Sequence, residues 1–172
     1  ECTSDYLYIA NLLSATQNKL YSRFKQIPRD ECDWITEQAV TDCFQNLDNV
    51  LREECNQGEW FPEKMIIHSS DETEHAVIDS YLSSMSMLAD ASTIYRFSAR
   101  ADIVTKSSLW ELKCTNQLTI EHKLQLVMYA WLFQMKYTNH EKKDYYLFNV
   151  KSNELLKLNA SLDELSKIVQ SI

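Results

Sequence analysis

Three side chains in the stretch from Tyr95 to Leu132 have the types and spacing to act together: Asp102, Glu111 and Lys113. Two carboxylates offer hard oxygen donors of the sort that Mg²⁺ or Mn²⁺ prefers. An ammonium beside them can stabilise negative charge as it develops on a reacting group. The same three groups also make an ordinary ion triad, Lys113 between two acids, and spacing alone supports both readings.

The elements that must position them can be read from periodicity. Tyr95–Thr105 alternates, with Tyr95, Phe97, Ala99, Ala101 and Ile103 on one face and Arg96, Ser98, Arg100 and Asp102 on the other. Lys106-Ser107-Ser108 is a polar turn, and Leu109–Cys114 is a second short run that sets Trp110, Leu112 and Cys114 opposite Leu109, Glu111 and Lys113. Paired as a hairpin, the two runs bring Asp102, Glu111 and Lys113 together on half-buried strands. Buried charge without partners costs several kcal/mol, so the cluster calls for an explanation. A helix is predicted over Thr119–Lys136, with Thr119 as N-cap and Glu121 in the first turn, where a carboxylate suits the helix dipole. Leu124–Leu132 is apolar almost all round, yet His122, Gln125 and Tyr129 line one polar stripe. A buried Gln needs partners for both halves of its amide; the strand cluster is one source, and a loop carbonyl bonding a structural Gln is the other.

Asp102, then Glu111-Leu112-Lys113, then Gln125-x-x-x-Tyr129 resemble the PD-(D/E)XK nuclease superfamily, in its RecB-like branch. That branch includes nuclease domains attached to helicases and the CRISPR-associated adaptation nucleases. The match covers about a quarter of the chain well, and its D-x8-ExK…QxxxY combination is more specific than a lone D…ExK. The resemblance implies that Asp102, Glu111 and the Leu112 carbonyl hold one or two Mg²⁺ or Mn²⁺ ions. It implies that Lys113 orients or activates the attacking water, and that Gln125 and Tyr129 support the site or touch the substrate backbone. Ala101 stands where the family carries proline, and Arg100 where glycine is common. RecB-type enzymes also add an upstream histidine on a helix. Glu37, Asp42, Glu63 and His68 are the candidates for that ligand here. Some relatives hold an iron–sulfur cluster with three cysteines near the C-terminus. The five cysteines here include none after Cys114, so no such cluster is expected.

The rest of the chain fits one α/β domain. With 172 residues, 45% hydrophobic and 24% charged, it can bury a real core. One glycine and two prolines argue for a helix-rich chain. Asp5–Gln26 and Trp34–Glu54 read as helices, Phe61–His68 as a strand, and Asp144–Val150 as a strong strand. Asn153–Leu158 reads as a short strand, and Ser161-x-x-Glu164 opens a final helix. His75–Ala91 is mixed in pattern. The order matches the αβββαβ core of restriction-endonuclease-like folds: a central mixed β-sheet flanked by helices, with an N-terminal helical part (1–55) added to an α/β core (60–172). The four tryptophans read as core, with Trp60 the one suited to base stacking.

Net charge is −8, unevenly spread: 31–75 holds twelve acids against Arg52 and Lys64. That stretch reads as a solvated surface, or as a docking face for a basic partner. Arg96, Arg100, Lys106, Lys113 and Lys123 lie in or beside the cluster, and phosphate contact needs only a local positive surface. The expectation is a divalent-metal-dependent nuclease acting on DNA before RNA. The chain opens on Glu1-Cys2-Thr3, and a module of a larger helicase-nuclease, replication or repair protein is expected. An odd number of cysteines without CxxC points to free thiols in a reducing, intracellular compartment, and no run of roughly 18 apolar residues suggests a membrane span. The competing expectations are an RNA endonuclease of the same fold, of the cap-snatching type, and a binding or scaffolding module whose site has decayed.

Overall fold

The computed structural model describes residues 3–17, 35–56, 61–69, 96–137 and 143–172. The chain divides into two compact units, Glu1–Asn49 and Val50–Ile172. The first carries α1 (Thr3–Gln17) and most of α2 (Glu37–Asn56). Helix α2 begins later than the apolar pattern implies, because Thr36 caps it. The Thr36 hydroxyl accepts the Ala39 N–H at 3.1 Å and its carbonyl accepts the Val40 N–H at 3.0 Å. The C-terminal part predicted for the first helix, Trp34, Trp60, Gly58 and the mixed stretch His75–Ala91 all lie outside the described residues.

The second unit is the α/β fold expected from the element order. A five-stranded sheet runs β1 (Phe61–Ser69), β2 (Arg96–Val104), β3 (Ser108–Lys113), β4 (Asp144–Asn149) and β5 (Glu154–Leu158), in that spatial order among the described residues. Helix α3 (Ile120–Lys136) connects β3 to β4, and α4 (Leu162–Gln170) follows β5. All neighbouring pairs are antiparallel except β3–β4, so the sheet is mixed. The parallel pair follows from the intervening helix, since parallel neighbours need a long crossover.

The β2–β3 hairpin turns where the polar run lies. The Ser107 and Ser108 N–H groups donate to the Thr105 hydroxyl rather than to its carbonyl. Lys143, entering β4, donates to the Thr105 and Lys106 carbonyls at 2.5 and 2.7 Å. The turn is thus tied to the strand that β3 joins next.

Leu109, Tyr145 and Leu147 share a buried cluster with Leu126, Val127, Ala130 and Trp131 of α3 and with Leu165 and Val169 of α4. Trp131 Nε1 donates to the Ser166 hydroxyl at 3.2 Å, giving the buried indole its polar partner and joining the two helices. On the other side of β3 and β4, the Trp110 and Tyr146 rings stack at 4.2 Å. Final helix α4 carries the predicted capping box: Ser161 and Glu164 exchange bonds through N–H groups and side chains. Among the described residues no helix is long and apolar enough to cross a membrane.

Candidate active site

The β2–β3 ladder is short. Its registered pairs are Val104 with Leu109 and Ile103 with Trp110, which sets Asp102 across from Glu111 at the next step. There a side chain enters the ladder: Asp102 Oδ2 accepts the Leu112 N–H at 2.7 Å. Glu111 lies two residues beyond Leu109 and therefore stands on the face that packs against the helices. It is buried, with 3% exposure, and its Oε1 accepts from Lys113 Nζ at 2.5 Å. Lys113 retains 17% exposure. The alternation expected from sequence thus holds, and two acids and an ammonium share one corner of the sheet. That corner is where β2 and β3 stop pairing and Lys113 ends β3.

The helix contributes differently from the sequence expectation. Gln125 Nε2 donates to the Tyr129 hydroxyl at 2.8 Å, one turn along the same helix, and both residues are half-buried. Among the described residues no hydrogen bond joins either of them to Asp102, Glu111 or Lys113. The reason is local: positions i and i+4 on a helix are neighbours, so the Gln125 amide nitrogen finds its partner on its own helix. His122 Nδ1 accepts the Thr119 N–H at 3.1 Å, closing the first turn. The Thr119 side chain beside Glu121 holds that carboxyl below its ordinary range.

The four candidates for an upstream ligand fall in two places. Glu37 and Asp42 are exposed on α2, in the first unit, and Asp42 accepts from Gln38 Nε2 at 2.7 Å. Glu63 and His68 lie on β1. Pro62 pairs with Ile103 and Lys64 with Ala101, so the backbone register sets Glu63 across from Asp102, whereas His68 pairs with Phe97 far along the ladder. The side chains of Glu63 and His68 lie outside the described ones. Among the described residues no group of three or more His, Cys, Asp or Glu stands together as a metal site. The donors at the corner, two carboxylates and a strand carbonyl, are of the hard oxygen type. Magnesium binds through one or two carboxylates and keeps waters for the rest, so this donor set fits such an ion.

One residue at the corner was not singled out by its sequence context. Asn149 pairs with Lys113 as the last β3–β4 register partner and is fully buried. Its side chain bonds the backbone of Thr115, 34 residues away in sequence. The only sequence signal is a buried-strand position occupied by an amide, which must find partners.

No family model matches the chain, and no curated protein matches it. A solved structure described as "Crystal structure of SSO0001" is similar over 91% of this chain and 67% of its own, with 19% identity and a TM-score of 0.42. A likeness that faint says nothing about activity.

Proposed function

We propose that the chain is a divalent-metal-dependent nuclease that hydrolyses phosphodiester bonds, with DNA as its first substrate. The observation that carries the reading is the corner itself: Asp102 reaching into the ladder end beside a buried Glu111–Lys113 pair. A buried ion pair is poor value for stability, since desolvation offsets much of the attraction. Function is a better account of why these charges stand on the packed face.

Asp102, Glu111 and the Leu112 carbonyl would hold the ion, Mg²⁺ or Mn²⁺. When bound, it acidifies a water and screens charge on the phosphate. Lys113, partly exposed, orients the attacking water and meets the negative charge that builds on the phosphoryl oxygens. Glu111, bonded to it, sets where that ammonium points. Gln125 and Tyr129, already paired, present one combined polar group from α3 toward the substrate backbone. The wider setting in this reading is a helicase-linked or repair protein in a reducing intracellular compartment, where thiols such as Cys43 stay reduced.

A second reading has its own observation. Asp102 and Glu111 each hold an internal partner, the Leu112 N–H and Lys113, as a purely structural triad in a scaffolding module would. Cleavage of end-labelled single- and double-stranded DNA and RNA, with Mn²⁺, Mg²⁺ or EDTA, separates the two. Metal-dependent cutting, lost in Lys113→Ala and Asp102→Ala, is the expected result, and preferential cutting of RNA moves the substrate to the cap-snatching class. No cutting of any substrate, with no metal-induced rise in melting temperature, selects the scaffold.

A further inference from the structure

Beyond the acids and the lysine, one buried amide governs where the site strand ends. Asn149 closes β4 opposite Lys113 and has no exposed surface. Its Oδ1 accepts the Thr115 N–H at 3.1 Å and the Lys151 N–H at 3.3 Å. Its Nδ2 donates to the Thr115 carbonyl at 2.9 Å and faces the Thr115 hydroxyl at 3.5 Å. One side chain therefore takes both backbone groups of Thr115, as a neighbouring strand would, and prolongs the β3–β4 ladder past its last true pair. The Val150 N–H donates to the Lys113 carbonyl at 2.8 Å, so the chain is held by the end of β4 on both sides of Cys114. Lys151 Nζ adds a tie to Asn116 Oδ1 at 2.6 Å.

We infer that Asn149 is the positioning residue for Lys113: it fixes the backbone just after Lys113 and so fixes where the ammonium stands beside Glu111. The catalytic part of this inference rests on the nuclease reading; the positioning part does not. The chemistry is specific to an amide. Aspartate at this place keeps the two accepted bonds but cannot donate to the Thr115 carbonyl, and alanine loses every bond and leaves the half-buried Thr115 and Lys151 backbone groups without these partners.

The test pairs kinetics with pulse acylation of lysines by acetic anhydride, read by peptide mass spectrometry on the whole chain. In the wild type Lys113 is expected to label far more slowly than Lys157, which is 42% exposed and serves as the internal control. In Asn149→Ala, Lys113 labelling rises several-fold while Lys157 labelling stays constant. At the same time kcat falls roughly 10- to 100-fold with KM little changed, as for other displaced supports of a reacting group. Asn149→Asp is expected to fall between the two in both readouts. Unchanged Lys113 labelling overturns the inference whatever the kinetics do. A wild type that cuts nothing, yet whose Lys113 labelling responds to Asn149, removes the nuclease reading and leaves the positioning role standing. If labelling rises at every lysine in Asn149→Ala, that variant does not fold, and Asn149→Asp decides by the same two rates.

Discussion

Two lysine–carboxylate pairs stand on this sheet at nearly the same separation, and they differ in almost everything else. Lys113 meets Glu111 at 2.5 Å within one strand, with exposures of 17% and 3%. Lys157 meets Asp144 at 2.7 Å across the β4–β5 edge, with exposures of 42% and 47%. The first pair gives up most of its hydration; the second keeps it. Water and salt weaken the exposed pair to about 0–1 kcal/mol for a typical case. The buried pair interacts strongly but has given up solvation of similar size, so it contributes little net stability while being costly to break. Distance alone therefore does not tell which pair matters. Burial does, and it marks the corner at Glu111 as the place where charge is kept at a cost.

The largest effect expected is from Lys113→Met. Glu111 then stays buried but loses the Lys113 ammonium, and urea denaturation is expected to show a loss of about 3–5 kcal/mol. Cleavage falls at least ~100-fold, the size seen when one stabilising donor is removed from a transition state. The double variant Lys113→Met/Glu111→Leu recovers most or all of the stability, since apolar replacements of a buried pair pack without desolvation, and remains inactive. If the double variant cuts nucleic acid, the pair is structural and the contrast drawn here collapses.

Asp102 comes next. Asp102→Ala removes the acceptor of the Leu112 N–H and is expected to cost about 1–3 kcal/mol. Asp102→Asn can still accept that bond, so its fold should hold while its ion binding weakens. The measurement is melting temperature against Mn²⁺ concentration. A wild type with ion at a hundred times Kd gains about 2.7 kcal/mol, and Asp102→Asn is expected to need much more Mn²⁺ for the same gain. Equal responses in both would take Asp102 out of the ligand set.

How far the sequence reveals this corner depends on the range of the interactions. The hairpin was legible because strand alternation is local: Asp102, Glu111 and Lys113 sort to one side by counting in twos. Thr119 as the cap of α3 and the Ser161–Glu164 box are legible for the same reason, each set by residues three apart. The partner of Gln125 was misplaced because a half-buried amide says only that a partner exists, and the nearest one, Tyr129, lay on its own helix. For Asn149 the sequence offers an amide in a strand but not its partner. Its partner Thr115 is reached only once β3 and β4 lie parallel, and nothing in the run DYYLFNV says which strand will be its neighbour. Lys143 likewise bonds a turn 37 and 38 residues back, a contact created by the crossover.

A smaller effect separates the apolar face of β4 from the exposed pair beside it. Burial pushes the Tyr145 hydroxyl up to about 12 from an ordinary value of 10, against the opposing pull of its bond with Gln134. The unfolded chain releases this proton first, so between pH 10 and 12 it binds fewer protons than the folded chain. Stability is therefore unaffected below pH 10 and falls as pH rises through that window. Burial also raises Tyr146, which adds to the slope. Tyr145→Phe is expected to flatten the alkaline fall in melting temperature without removing it. A slope unchanged by that variant would mean that Tyr145 ionises as freely when folded as when unfolded.

The smallest effect is expected at Lys157, and its smallness is what completes the contrast. The Asp144 carboxylate that Lys157 meets is also bonded by the Tyr146 hydroxyl at 3.2 Å, and the Lys157 ammonium lies 5.5 Å from the centre of the Tyr146 ring. These contacts raise Lys157 above its ordinary range, the bond to Asp144 first among them. Yet both charges remain in water, where ions at physiological strength screen them within about 8 Å. When Lys157 is cut to alanine, Asp144 keeps the tyrosine hydroxyl and its hydration, so no buried charge is stranded. Lys157→Ala is expected to cleave like the wild type and to shift the unfolding midpoint slightly, with the shift fading as salt is raised. Lys113→Met, by comparison, should lose stability with little dependence on salt, because a pair that is 17% and 3% exposed is screened far less than one in water. A salt-independent loss in Lys157→Ala would show that the exposed pair behaves like the buried one, and burial would no longer tell the two apart.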